Sequence, residues 1–268
     1  MPNEESSHRQ VLEFLVAAGV ETPLDEHPVD RFALSVPPPG KVEAPPPVPE
    51  KQAAPRVAGG APAPLAPDAA IMEARRLAAS APDLETLRAL LDAFEGCALK
   101  STASRLVFAD GAPGAPVMIV GEAPGRDEDE IGRPFVGRAG QLLDKMLNAI
   151  GLNRENVYVA NTVPWRPPGN RTPTPQEIAI CLPFITRQIE LSAPKILVTM
   201  GAPATQTLLG QKEGILRLRG RWFEYGLKGG TIPALATLHP AYLLRQPSQK
   251  ALAWRDLSAL RAKLAHLA

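Results

Sequence analysis

The sequence predicts an α/β fold, a parallel sheet covered by helices on both faces. Two observations carry the prediction. From residue 116 onward, short apolar runs alternate with longer amphipathic segments, which is the pattern of repeated strand–helix units. The first of these runs, Val117 to Val120, then breaks into Gly121-Glu122-Ala123-Pro124-Gly125. Two glycines and a proline in five residues neither continue a strand nor begin a helix cleanly, so a shaped loop leaves the strand there. Open α/β sheets bind ligands at that end of their strands. The stretch 116–140 is therefore the expected active-site loop. It runs through the acids Asp127, Glu128, Asp129 and Glu130, of which Asp127, Asp129 and Glu130 read as solvated loop, to Phe135 held between Pro134 and Val136-Gly137.

Taken in order, residues 6–19 read as a short amphipathic helix, with Val11, Leu12, Leu15 and Val16 on one face and Gly19 at its end. It belongs to an N-terminal helical segment, 1–34. Eleven of the 30 prolines fall in 35–70. Proline fixes φ and removes a donor, so this stretch reads as an extended linker. The remainder, 71–268, is expected to be the catalytic domain. Residues 68–95 carry two apolar helical stripes separated by Ala81-Pro82-Asp83, with Asp83 placed to cap the second. Strands are expected at 116–121, 156–161, 195–200 and 232–238, and helices at 139–150, 175–191, 202–209 and 247–266. In the first of these helices Leu142, Leu143, Met146, Leu147 and Ile150 share a face, and Gly151 stops it. Trp222-Phe223-Glu224-Tyr225, with Gly229-Gly230 behind it, reads as a hairpin entering the last strand.

Composition narrows the class. The chain has 268 residues, 45% of them hydrophobic, enough for one sizeable core. A formal net charge of +1 means that any nucleic-acid footprint has to be local. Two cysteines, Cys97 and Cys181, imply no disulfide framework. There is no apolar run of membrane-spanning length and no secretory pattern in MPNEESSHRQ, so a cytoplasmic monomer is the expectation.

Four separated motifs then carry a resemblance: GEAPG at 121–125, PFVGRAGQLLDKML from Pro134, NTVPWRPPGNRTPTP at 161–175 and LHPAYLLR at 238–245. In this order they resemble the uracil-DNA glycosylase superfamily, and most closely its family four. The likeness runs from roughly Phe94 to the C-terminus. It implies a three-layer αβα sandwich around a four-stranded parallel sheet, and excision of uracil from DNA as the first step of base-excision repair. A different deaminated base, hypoxanthine or xanthine, and a non-catalytic DNA-binding protein on the same fold are the alternatives.

The residue chemistry agrees with that implication. Breaking the glycosidic bond puts positive charge on the sugar and negative charge on the pyrimidine, and the base must first leave the stack. Phe135 is expected to stack on the base. Asn161, at the end of a strand, offers one acceptor and two donors and so matches uracil O4 and N3–H together. His239 is expected to donate to the departing oxygen, with the backbone N–H groups of Gly121 and Ala123 as further donors. Glu122 is expected to position the attacking water or the sugar, with Glu128 second. Arg166, Arg171 and Arg245 are expected at phosphates, with Arg133 and Arg138 beside the Phe135 turn. One of Tyr242, Leu243 and Leu244 is expected to wedge into the DNA, as the resemblance implies for that loop.

The chain departs from family four at the cluster. The family usually holds a four-iron cluster on four cysteines, whereas the matching positions here are Phe94, Cys97, Trp165 and Cys181. Two thiols are a poor site for a cubane cluster. No cofactor and no metal are expected, and Phe94 and Trp165 are expected to pack in the vacated volume. The loop after Asn161 also lacks the histidine through which a related branch links covalently to DNA.

Overall fold

In the computed structural model the described residues are 66–267. The expected helix 6–19 and nearly all of the Pro-rich stretch lie outside them. Helix α1, Pro67–Ser80, opens with proline in its first turn and takes in the last residues assigned above to the linker. Helix α2, Leu84–Ala93, is capped as expected: the Asp83 carboxylate accepts from the Thr86 N–H at 2.7 Å.

A six-stranded sheet follows: β1 (Asp110–Gly111), β2 (Val117–Gly121), β3 (Val157–Asn161), β4 (Ile196–Met200), β5 (Trp222–Leu227) and β6 (Gly230–Thr237), in spatial order β1-β3-β2-β4-β6-β5. The four strands expected from the sequence are the parallel centre, β3-β2-β4-β6. The expected hairpin supplies β5, antiparallel to β6, and the two-residue β1 pairs antiparallel with β3 at the other edge. The expected four strands thus become six by addition at the edges.

Between the strands run α3 (Arg126–Ile131), α4 (Arg138–Asn148), α5 (Pro175–Ser192), α6 (Ala202–Leu209), α7 (Ile215–Leu218), α8 (Pro240–Arg245) and α9 (Lys250–Leu267). The central strands are buried along their whole length, which is why they read as continuous apolar runs. Their side chains alternate between two cores. Val117, Ile119, Val157 and Val159 meet Leu143 and Leu147 of α4 and Leu257 and Leu260 of α9. Met118, Val120, Tyr158 and Ala160 meet Ile185 and Ile189 of α5. Each fully buried Ile or Leu contributes roughly 1.5–3 kcal/mol by transfer from water. Helices α1 and α2 pack outside α5 in a third cluster with Val163 and Trp165.

The acidic run corrects one expectation. It forms α3, not a solvated loop, and ends at Gly132 with φ +82°. Asp129 is buried and accepts from Ser104 N at 2.8 Å, Ser104 Oγ at 3.0 Å and Arg105 N at 3.4 Å. Among the described residues no helix is long and apolar enough to cross a membrane.

Candidate active site

The C-terminal ends of β2, β3, β4 and β6 open into one cavity of about 560 Å³, lined among others by Glu122, Ala123, Phe135, Asn161, Gly201 and His239. Parallel pairing sets Gly121 opposite Asn161. Gly121 lies beneath the cavity, where its missing side chain is the point. A Cβ there would stand 2.5 Å from Asn161 Oδ1 and 2.7 Å from Phe135 Cζ. The loop after β2 is tied to the loop after β3, because the Glu122 carbonyl accepts from Val163 N at 3.0 Å and from Thr162 Oγ1 at 2.7 Å.

Phe135 sits in the left-handed region, φ +55°, a conformation that costs a non-glycine residue about 1–3 kcal/mol. Three contacts hold it. Arg154 donates to the Phe135 carbonyl at 2.7 Å and the Pro134 carbonyl at 3.2 Å, and is itself paired with Asp144 at 2.7 Å and Asp110 at 3.0 Å. Gly140 lets α4 approach; a Cβ there would lie 1.7 Å from the Phe135 oxygen. Glu128 accepts from Val136 N at 2.9 Å and Gly137 N at 3.0 Å with one oxygen, and from Gly125 N at 3.1 Å with the other. Both oxygens of Glu128 therefore serve the loop backbone, which sets it apart from the water-positioning role considered above. Arg154 was not singled out from the sequence; its partners lie 10 to 44 residues away in the chain.

His239 is the N-cap of α8. Its Nδ1 accepts from Ala241 N at 3.1 Å, so Nδ1 carries no proton and Nε2–H is the donor left for a ligand. Burial, and then the charge of Arg245, lower its pKa to about 4, so the ring is neutral near pH 7. The ring lies 5.3 Å from that of Phe135, centroid to centroid, tilted by 31°. Glu122 is the other perturbed group. Burial pushes its carboxyl above the usual range, with the Thr172 hydroxyl opposing the shift, and Oε1 is buried with no partner among the described residues.

The expected DNA contacts divide. Arg245 and Arg171 line the cavity, Arg171 in a two-pronged pair with Glu177 at 2.7 and 2.9 Å. Arg166 does not line it. Its side chain turns to Asn170 at 2.7 Å and toward buried Asp129 at 3.9 Å. Leu243 is corrected as a wedge: it is 1% exposed, packed with Leu238 and Ala253. Leu244, at 37%, and Tyr242, on the cavity wall, keep access to a ligand.

Cys97 and Cys181 meet at 3.9 Å, sulfur to sulfur, inside the third core. Contact with Cys97, then burial, pushes the Cys181 thiol well above its usual range. Phe94 and Trp165 are buried in the same cluster, with Phe94 against Phe184 at 5.2 Å between centroids. The four positions do converge, but two thiols in contact and two aromatic side chains do not fit a four-iron cluster. Among the described residues no group of three or more His, Cys, Asp or Glu could hold a metal ion.

Comparison with known proteins places this geometry. The family description "Uracil DNA glycosylase superfamily" matches residues 108–258. A type-4 uracil-DNA glycosylase of Pyrobaculum aerophilum is 38% identical over 180 residues, 66% of this chain and 92% of the relative. One from Thermotoga maritima is 43% identical over 155 residues, 58% of this chain and 79% of the relative. One from Archaeoglobus fulgidus is 41% identical over 155 residues, 56% and 78% of the two chains. With more than half its length under the family description and more than three-quarters of each of these relatives matched by it, the chain belongs to the uracil-DNA glycosylase superfamily, in its family four.

Proposed function

We propose that the protein is a monofunctional uracil-DNA glycosylase, a hydrolase of the N-glycosidic bond that acts in DNA repair. The observation that carries the site assignment is the fixed tautomer of His239 on the cavity wall beside Phe135. The flipped uracil stacks on Phe135, and the Asn161 amide pairs with its O4 and N3–H. As the bond between N1 and C1′ breaks, its electron pair passes to the base. The Nε2–H of His239 donates to O2, where negative charge grows. A neutral donor suits charge that develops as the bond breaks, because a preorganised N–H in a water-excluded site needs no reorganisation when the charge appears. Water adds its oxygen to C1′, and Glu122, whose raised pKa makes it a better base than an ordinary carboxylate, takes the proton. The uracil anion then takes up a proton from solvent, Glu122 gives its own back to solvent, and free uracil and an abasic site result. Arg171, Arg245, and Tyr242 or Leu244 meet the DNA strand, and the unit acts as a cytoplasmic monomer formed by residues 71–268.

The reaction needs no iron–sulfur cluster in this chain: packed aromatic and aliphatic side chains do the structural work around Cys97 and Cys181. Purified protein is expected to be colourless, without absorbance near 400 nm and without bound iron. Stoichiometric iron in protein purified without oxygen would refute this.

The test of function uses end-labelled oligonucleotides bearing one uracil, single-stranded or opposite G or A, followed by alkaline cleavage of abasic sites. A band at the uracil position, absent with thymine or cytosine, is expected. No band from folded protein at high concentration would reject uracil as the substrate.

A further inference from the structure

Beside the uracil cavity lies a second cleft of about 420 Å³, formed by Gly214, Ile215, Leu216, Arg217 and Tyr242. It shares Ile215 and Tyr242 with the first. The three residues of α7 point in different directions for a readable reason. Ile215 packs with Tyr242 against the Leu238–Leu243 cluster and anchors the short helix to the cavity lip. Leu216 is turned outward and is 57% exposed. Arg217 is exposed, with no ion pair among the described residues, whereas nearby Arg221 is paired with Glu213 at 3.3 Å. An aromatic wall, an exposed apolar side chain and an unpaired cation thus stand together, sharing one wall with the base cavity.

We infer that Tyr242, Leu216 and Arg217 form a subsite for the nucleotide next to the excised one, its base stacked between Tyr242 and Leu216 and its phosphate at Arg217. The inference rests on the uracil-excision reading above and extends it. Bases stack on aromatic side chains with little regard to sequence, so the subsite grips a flanking nucleotide of any identity. It also gives the strand somewhere to go when one base leaves the stack. Extrusion separates the uracil from its neighbour, and the neighbour's exposed face is then covered by protein rather than water.

The test compares Leu216→Ala and Arg217→Ala with the unaltered protein on single strands carrying uracil internally, at the 5′ end or at the 3′ end. Stacking of a base on an aromatic side chain such as Tyr242 changes binding by about tenfold or more, and Leu216 and Arg217 close the other side of that stack. The variants are expected to lower kcat/KM for internal uracil about 5- to 10-fold, mostly through KM. The loss should shrink at least threefold for one of the two terminal placements, the one in which the flanking nucleotide is missing. Equal losses for all three substrates would overturn the subsite. A second arm reads binding without turnover: 2-aminopurine placed next to an abasic site should be quenched by the unaltered protein and less so by Leu216→Ala. Equal quenching would also overturn it. If the unaltered protein releases no uracil from any strand, the excision reading fails by itself, and the fluorescence arm still decides whether a base stacks there.

Discussion

Asn161→Leu is expected to lower kcat/KM for uracil in DNA by about 10²–10⁴, with the protein folded and still bound to DNA. The side chain sits at the rim end of β3 and is 5% exposed, so what it reaches is the cavity and not bulk water. Leucine has the same branched outline, is somewhat larger, and carries no hydrogen-bonding atom. Uracil O4 and N3–H would then be buried without partners, and each unmet buried group costs about 1–3 kcal/mol. The same reasoning sets the direction of specificity. If Asn161 reads the base edge as proposed, cytosine is rejected by the mismatch of its donors and acceptors with a fixed amide, so the variant should lose rate on uracil without gaining it on cytosine. Single-turnover rates on strands carrying uracil or cytosine, with DNA affinity measured separately on product, check this. A loss below about fivefold would mean that the Watson–Crick edge is read elsewhere.

The position of Asn161 was legible in the sequence because NVYVAN is a buried run that ends in a polar residue, and parallel strands expose only their ends. The same logic located His239 after the last strand and Gly121 after the first. What stayed hidden has a common physical origin. RDEDEI has no apolar stripe, so no periodicity marks it as helix; Asp129 and Glu128 gain their partners only when Ser104, Val136 and Gly137 arrive from elsewhere. The tie between Arg154 and the Phe135 turn is likewise a product of the fold, spanning 19 residues of chain. Leu243 and Leu244 are one residue apart on a helix, about 100° around its axis. Composition is silent on which of them faces the core, and packing against Leu238 and Ala253 decides it. Of the two edge strands, β5 was legible through its hairpin and β1 was not. A two-residue strand such as β1 is too short to show alternation.

His239→Asn is expected to lower kcat by about 10²–10³, the typical loss for one donor to an oxyanion. Asparagine is chosen because the residue has two tasks. As N-cap it accepts from Ala241 N, and asparagine caps helices well, so α8 and its DNA-facing residues should hold their place. Its amide is too short to reach where Nε2–H points. KM should move little, because the lost bond strengthens only as the charge develops. The variant should also change the pH dependence of stability. In the folded protein His239 titrates at about 4 rather than 6.5. Below pH 6.5 the unfolded chain binds a proton that the folded chain refuses until about pH 4, so acid draws the equilibrium toward unfolding. Between pH 7 and pH 5 this residue should cost roughly 2 kcal/mol of stability, and in His239→Asn that part of the slope should disappear. The catalytic pH profile separates the two groups. If Glu122 is the base, as proposed above, its pKa raised by burial means that activity should fall as pH drops through that raised value while His239 remains neutral. An acid limb of the rate that survived in Glu122→Gln and vanished in His239→Asn would reverse the assignment. It would make the histidine, and not the carboxylate, the group whose ionisation limits the reaction.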